Sequence, residues 1–443
     1  MNRGRVYLWT PEPGRPAGGH VTASVVPLPR LQRCGDGNLA LSGEFVVVRN
    51  GGAVNEAGTP NGVRARPLGD AEPNADGDFL FEPGRGGGRL DKVVLAEPDF
   101  RWRYIQAARF GEVNTYFHVD RIAAYVDGLL HQVGAASLPR VIAVTTAHPA
   151  TTERDGIRDG VRRPSGRWFP FQGGHYRLPA RQHTVAEPES LSPDGEIHLG
   201  PGWMLLEHGA LAEAAGGRYR ANASHNASII YHEYGHHIAR HTADFAANAR
   251  RRRDRQRNHK SAIEEGTCDY WVATLLDTPH IWAWHRRHDA EFPHRRCLAS
   301  PKTMRDYDPR PDADPHANGT IWAAALWDLR SQLPPLVGAL AMDLLVLKAL
   351  LLLGRLVPRD GHAAPADIER LRSSFPTGLA ALLHADALLN EGRHQPIIVS
   401  AFAERGILPD PAVRRALELG PSHDDSPGEQ APAPPAMSPQ GQS

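Results

Sequence analysis

Residues 228–241 read SIIYHEYGHHIARH, with His232 and His236 four positions apart and Glu233 directly after the first. Ile229, Ile230 and Ile238 supply apolar positions at helical spacing, and Asn226 or Ser228 is suited to cap the start. On a helix, positions i and i+4 lie one above the other, so both imidazoles aim at one point. Glu233 is rotated about 100° from His232, close enough to reach a water at that point without binding a metal itself. The string is the H-E-x-x-H pattern of hydrolytic zinc sites. Three more histidines, His225, His237 and His241, crowd around it.

A bare motif of this kind arises by chance, so two further features are required: a third ligand, and a partner for a ligand histidine. A third histidine six positions beyond the second is excluded. Ala239 stands where that class needs glycine, Thr242 where it needs histidine, and His241 is one residue out of register. The other solution is a glutamate from a separate helix. Residues 261–277, SAIEEGTCDYWVATLLD, form an apolar run with helical periodicity. Glu265 and Asp269 are four apart and share one face. Glu265 is expected as third zinc ligand, and Asp269 as acceptor for the outer N–H of a ligand histidine, His232. Glu264 is expected to face elsewhere as an ordinary helix-start carboxylate.

H-E-Y-G-H followed by E-G-T-C-D resembles the thermolysin-type gluzincins, and more closely their fungalysin branch, with H-E-Y-x-H and then E-G-x-x-D. Four further stretches are similar to that branch: NTYFHVDRIAAYVDGL (114–129), GEIHLGPG (195–202), HANGTIWAAALWDLR (316–330) and IIVSAFAERGI (397–407). Together they span roughly residues 105–410. The resemblance implies an α+β, thermolysin-like zincin with a mixed α/β lobe and an all-α C-terminal lobe, preceded by a β-rich N-terminal region. It implies one catalytic zinc on His232, His236 and Glu265, and hydrolysis of peptide bonds by a zinc-activated water with Glu233 as general base. His316, in DPHANGTI, matches the histidine with which thermolysin-type enzymes help to hold the oxyanion, because the His-x-Asn spacing is the same.

Two departures from the pattern bear on substrate. No tyrosine lies between His236 and Glu265, where thermolysin places one, and Tyr270 is expected to point off the metal side of its helix. The Asn-Ala pair that grips substrate backbone is missing from TVAEPESLSP (184–193) ahead of GEIHLG. Two function classes follow: a zinc-dependent endopeptidase acting on polypeptides, or a catalytically silent zinc-binding or interaction protein on a peptidase scaffold. Retention of Glu233, which a silent zinc site does not need, favours the first.

The 443 residues suffice for more than one core, and 50 basic residues balance 50 acidic ones, which gives no sign of a nucleic-acid or anionic-membrane partner. Cys34, Cys268 and Cys297 form neither a disulfide framework nor a cysteine zinc site. The start, MNRGRVYLWTPEPGRP, lacks the apolar core of a secretory signal. The resemblance suggests an extracellular protein, and the sequence otherwise a cytoplasmic one. Residues 333–357 are apolar, but Asp343 and Lys348 interrupt them, so a buried helix is expected rather than a membrane span.

Composition divides the chain into a β-rich region with pro-segment-like character (1–104), an α/β lobe (105–247), an Arg-rich loop (248–260), a helical lobe (261–419) and a Pro/Ser-rich disordered tail (420–443). The six arginines of the loop read as a solvated surface. Asp308, Asp312 and Asp314 offer carboxylates to a calcium ion, although a simple acidic loop accounts for them. Oligomeric state is not encoded in any recognisable pattern.

Overall fold

The computed structural model describes residues 1–12, 15–33, 37–51, 53–55, 65–83, 100–146, 173–177, 192–200, 222–245, 262–282, 296–310, 313–333, 338–355, 374–409 and 411. The strand-like run 91–96, the Arg-rich loop, the tail, Cys34, Asp312 and most of 184–193 lie outside the described residues.

The alternating run Val46–Asn50 behaves as its pattern dictates, with Val46 and Val48 buried and the residues between them less so. This strand, β5, lies parallel to β8 (Val141–Thr145), with Val46 opposite Val141 and Asn50 opposite Thr145. On its other side it pairs with β4 (Leu39–Gly43), which carries the short β3 (Leu31–Arg33) at one margin. Beyond β8 come β10 (Glu196–Leu199), parallel to it, and β9 (Gly174–Arg177), antiparallel to β10, giving the order β3-β4-β5-β8-β10-β9. The N-terminal strands thus build one sheet with strands from the middle of the chain, across the compositional boundary at 104. Separate from it are a hairpin of β1 (Arg3–Glu12) with β2 (Arg15–Pro27), and the short pair β6 (Ala53–Asn55) and β7 (Ala65–Pro67).

The helix expected at 114–129 runs further, as α1, Phe100–Gln132. Phe110, Val113, Tyr116, Val119, Ile122, Val126 and Leu129 recur at three- and four-residue steps and are all buried, a stripe that packs on β5 and β8. Each such side chain contributes about 1.5–3 kcal/mol on burial. The opposite demand, for polar satisfaction, is met within the same helix: Asn114 accepts from the Tyr7 amide (2.9 Å) and donates to the Ser224 carbonyl (2.8 Å).

The H-E-x-x-H segment is α2, Ala227–His241, capped by Asn226, whose side chain accepts from the Ser228 amide at 2.9 Å. It is buried nearly all round, so its polar residues must find partners. The surplus histidines do this by pinning α2 and its approach to neighbouring backbone. His237 Nε2 lies 2.9 Å from the Pro139 carbonyl, His241 Nε2 3.0 Å from that of Asp194, and His225 Nε2 2.7 Å from that of Ala107.

The rest of the described chain is helical: α3 (Ala262–Leu276), α4 (Pro315–Gln332), α5 (Gly338–Arg355), α6 (Phe375–Asn390) and α7 (Gln395–Glu404). No helix among the described residues is long and apolar enough to cross a membrane. Asp343, the charge that interrupts the apolar α5, is fully buried and ties four helices together. It accepts from Tyr270 (2.5 Å) and Thr274 (3.2 Å) of α3, Arg330 of α4 (2.6 Å) and Tyr125 of α1. A buried carboxylate with that many donors is satisfied rather than stranded. The architecture is α+β, with a β-rich N-terminal region.

Candidate active site

Helices α2 and α3 cross closely enough for their polar faces to interlock. A β-carbon on Gly266 of α3 would sit 2.3 Å from the Gly319 carbonyl oxygen of α4, so α3 is pressed between both neighbours. At the crossing, one carboxylate oxygen gathers three imidazoles. Glu265 Oε2 lies 3.0 Å from His232 Nε2, 3.6 Å from His236 Nε2 and 3.1 Å from His316 Nε2. Burial alone would raise the Glu265 carboxyl, but the imidazoles outweigh it and hold the group well below the usual carboxylate range.

Asp269, one turn on, takes the far side of His232, with Nδ1 to Oδ1 at 2.9 Å. It is itself gripped by Arg296, whose Nε reaches Oδ2 at 3.0 Å and whose Nη2 reaches Oδ1 at 2.6 Å. Burial raises the Asp269 carboxyl, yet Arg296 and His232 bring it below its ordinary value. The Arg296 guanidinium also stacks over Trp282, 5.2 Å from the ring centroid, and its backbone is left-handed with φ 61°. Residues other than glycine held there mark a place where surrounding structure enforces the conformation.

His316 enters from the first turn of α4. Asp314 caps that helix and accepts from the His316 amide (3.1 Å), and the same oxygen lies 2.9 Å from His316 Nδ1. Burial lowers the imidazole, but Glu265 beside it reverses the shift and raises it to about 9. Asp314 is thereby committed, and Asp308 is paired with Arg310 (2.5 Å), so neither carboxylate stands free for calcium.

Glu233 projects from α2 beneath β9. A β-carbon on Gly174 would meet Glu233 Cγ at 2.6 Å and Oε1 at 2.7 Å, so only a bare backbone fits over this carboxylate. Among the described residues β9 is the last strand of the sheet.

The spacing of Glu265 from the two imidazoles suits a zinc ion, and His232, Glu265 and His316 also bring three donor atoms within 4.8 Å of one another. Ligand atoms about 2.1 Å from one ion at tetrahedral angles stand roughly 3.4 Å apart, and Glu265 Oε2 stands 3.0 and 3.6 Å from the two Nε2 atoms. Two imidazoles and an anionic carboxylate, all largely buried, are also the chemistry zinc prefers.

Four features are not legible in the sequence. Glu264, expected to face elsewhere, turns inward, and its Oε1 lies 2.8 Å from His236 Nδ1. The edge strand sits at Gly174–Arg177, upstream of residues 184–193, where the family's substrate-gripping pair is missing; the glycine pair Gly173-Gly174 before Tyr176 is its signal. Cys268, discounted as a ligand, has its sulfur within 4.8 Å of donor atoms of both His232 and His236. Burial raises that thiol to about 12. Arg296 had no signal at all. Tyr270 does point away from the site, toward Asp343.

A mixed sheet under a His-Glu helix, crossed by a second helix that brings acidic groups, defines the zincin class of metallopeptidases. The family model for fungalysin metallopeptidase matches residues 3–409, and the chain belongs to that family. No curated protein matches it. The protein is therefore a metallopeptidase, acting on polypeptide.

Proposed function

We infer that the chain is a zinc-dependent endopeptidase, with His232, His236 and Glu265 as ligands and Glu233 as general base. The observation that carries this reading is the convergence of both histidine Nε2 atoms on Glu265 Oε2, with Glu233, next in the chain after His232, packed under Gly174 of β9. Bound by these three residues, zinc would polarise the scissile carbonyl and acidify a water.

The remaining chemistry belongs to the chain. Asp269 holds the Nδ1 proton of His232, so that Nε2 faces the metal with its lone pair. Glu233 accepts a proton from the attacking water and returns it to the leaving amine. His316, with its Nδ1 proton held by Asp314, offers Nε2–H to the oxygen on which negative charge develops.

The test is cleavage of an unfolded protein such as casein, with and without a chelator, by wild type and Glu233→Gln. Wild type should carry close to one zinc and cleave, and chelation should stop it. Glu233→Gln should keep its zinc yet lose about 10²–10⁴-fold in rate. Equal cleavage by Glu233→Gln would remove Glu233 from the mechanism. A wild type that holds zinc and cleaves nothing would be a silent scaffold.

A further inference from the structure

Helix α3 carries two i, i+4 pairs side by side, and each clasps a different histidine of α2. Glu265 and Asp269 take the two nitrogens of His232, at 3.0 and 2.9 Å. Glu264 and Cys268, one position back along the same helix, flank His236. Glu264 Oε1 lies 2.8 Å from Nδ1, and the Cys268 sulfur lies within 4.8 Å of a nitrogen of the same ring. His236 therefore sits between two carboxylates, Glu264 at Nδ1 and Glu265 at 3.6 Å from Nε2.

An ordinary helix-start carboxylate points to solvent or to its own backbone amides. Glu264 does neither: it is 9% exposed and turned onto the neighbouring helix. Two adjacent carboxylates repel, and a buried pair persists only if each has its own donor and a favourable field. Both conditions are met. Each glutamate has a separate imidazole edge, and both lie in the first turn of α3, where the helix dipole favours negative charge.

We propose that Glu264 is the positioning residue for His236, accepting the Nδ1 proton and so fixing the tautomer and ring orientation that present Nε2 to the metal. It does on the second arm what Asp269 does on the first, and both histidines of the site are oriented by carboxylates from one helix. Cys268, fully buried, flanks the same ring. This inference rests on the zinc-site reading above.

Zinc affinity, read by competition with a chromophoric chelator, tests it without recourse to activity. Glu264→Ala should bind zinc about 10- to 100-fold more weakly than wild type. Glu264→Gln, whose amide oxygen accepts the same hydrogen bond, should recover most of that loss, whereas Glu264→Leu, of similar size but unable to accept, should not, which separates accepting from mere space-filling. Cobalt-substituted Glu264→Ala should have visible bands shifted from those of wild type, while Glu264→Gln should not. If Glu264→Ala fails to fold, Glu264→Leu takes its place with the same expectation. Wild-type zinc affinity in a folded non-accepting variant overturns the proposal and leaves the zinc site standing. A wild type that binds no zinc overturns both.

Discussion

A β-carbon added to Gly235 would stand 2.9 Å from the α-carbon of Cys268, closer than real side chains approach a backbone. The x-x of H-E-x-x-H is therefore not free here, because the separation of α2 and α3 depends on a missing methyl group. In an open helix, glycine to alanine stabilises by up to about 1 kcal/mol. At this crossing the sign reverses. Gly235→Ala should cost about 1–3 kcal/mol by overpacking and should reduce zinc content, since α3 carries the acidic half of the site. A urea midpoint equal to or above that of wild type would show that the helices can part without harm.

Arg296 yields a second expectation. The Asp269 side chain is 1% exposed and takes both nitrogen arms of Arg296. Arg296→Gln removes the charge that offsets a buried carboxylate, a loss of about 3–5 kcal/mol. Arg296→Lys should restore little of it, because an ammonium cannot span both oxygens. Chemical denaturation of the three proteins decides; a lysine variant as stable as wild type would mean that charge alone matters.

His316 should separate binding from chemistry. His316→Ala leaves His232, His236 and Glu265 in place, so zinc content should be retained. Cleavage should fall about 10²–10³-fold, the usual effect of losing one oxyanion donor. Loss of the metal along with the activity would instead make His316 a ligand, a role its 3.1 Å approach to Glu265 would allow.

Acid should unfold the protein through histidines remote from the metal. Burial lowers His118 to about 3 and His225 to about 4, against 6.5 when unfolded. Between those values the unfolded chain binds protons that the folded chain refuses. Stability present above pH 6.5 is therefore lost as pH falls, by about 1.4 kcal/mol per pH unit for each histidine. Glu112 acts in the opposite sense. Burial raises it from 4.5 to about 8, so its contribution is present below pH 4.5 and lost on the way up to 8. The effects partly offset above pH 4.5, and the acid loss should steepen below it. Thermal midpoints from pH 7.5 to 4 test this, and a flat profile down to pH 4 would contradict it.

Removing the metal should be felt by the whole fold. The proposed ligands come from α2 and α3, so zinc held by them would bind the folded crossing and not the open chain. At a thousandfold excess over its dissociation constant it adds about 4 kcal/mol. A chelator should lower the melting temperature accordingly, and added zinc should restore it. No change with chelator would mean that the crossing is rigid without help.

What could be read ahead of the structure was local. His232 and His236, and Glu265 with Asp269, lie one helical turn apart, and a turn of helix is visible in five consecutive letters. The directions of Glu264 and Cys268 were not visible, because they depend on how closely α3 crosses α2, which Gly235 controls from the other helix. Arg296 reaches the site from a loop in a backbone conformation that its residue type does not announce. The sheet was hidden for a related reason. The strand pattern of residues 46–50 shows that they are extended, but nothing in it names β8 as their partner.

That pairing also bears on how the protein comes to be made. Val46 lies opposite Val141, so the platform beneath α2 cannot close until a long stretch of chain has been drawn together. Contacts of this range form late and slowly. Until they do, each molecule is an open polypeptide among neighbours that have already become peptidases. Refolding at high concentration should therefore lose material by clipping as well as by aggregation, and a chelator present during refolding and withdrawn afterwards should raise the yield.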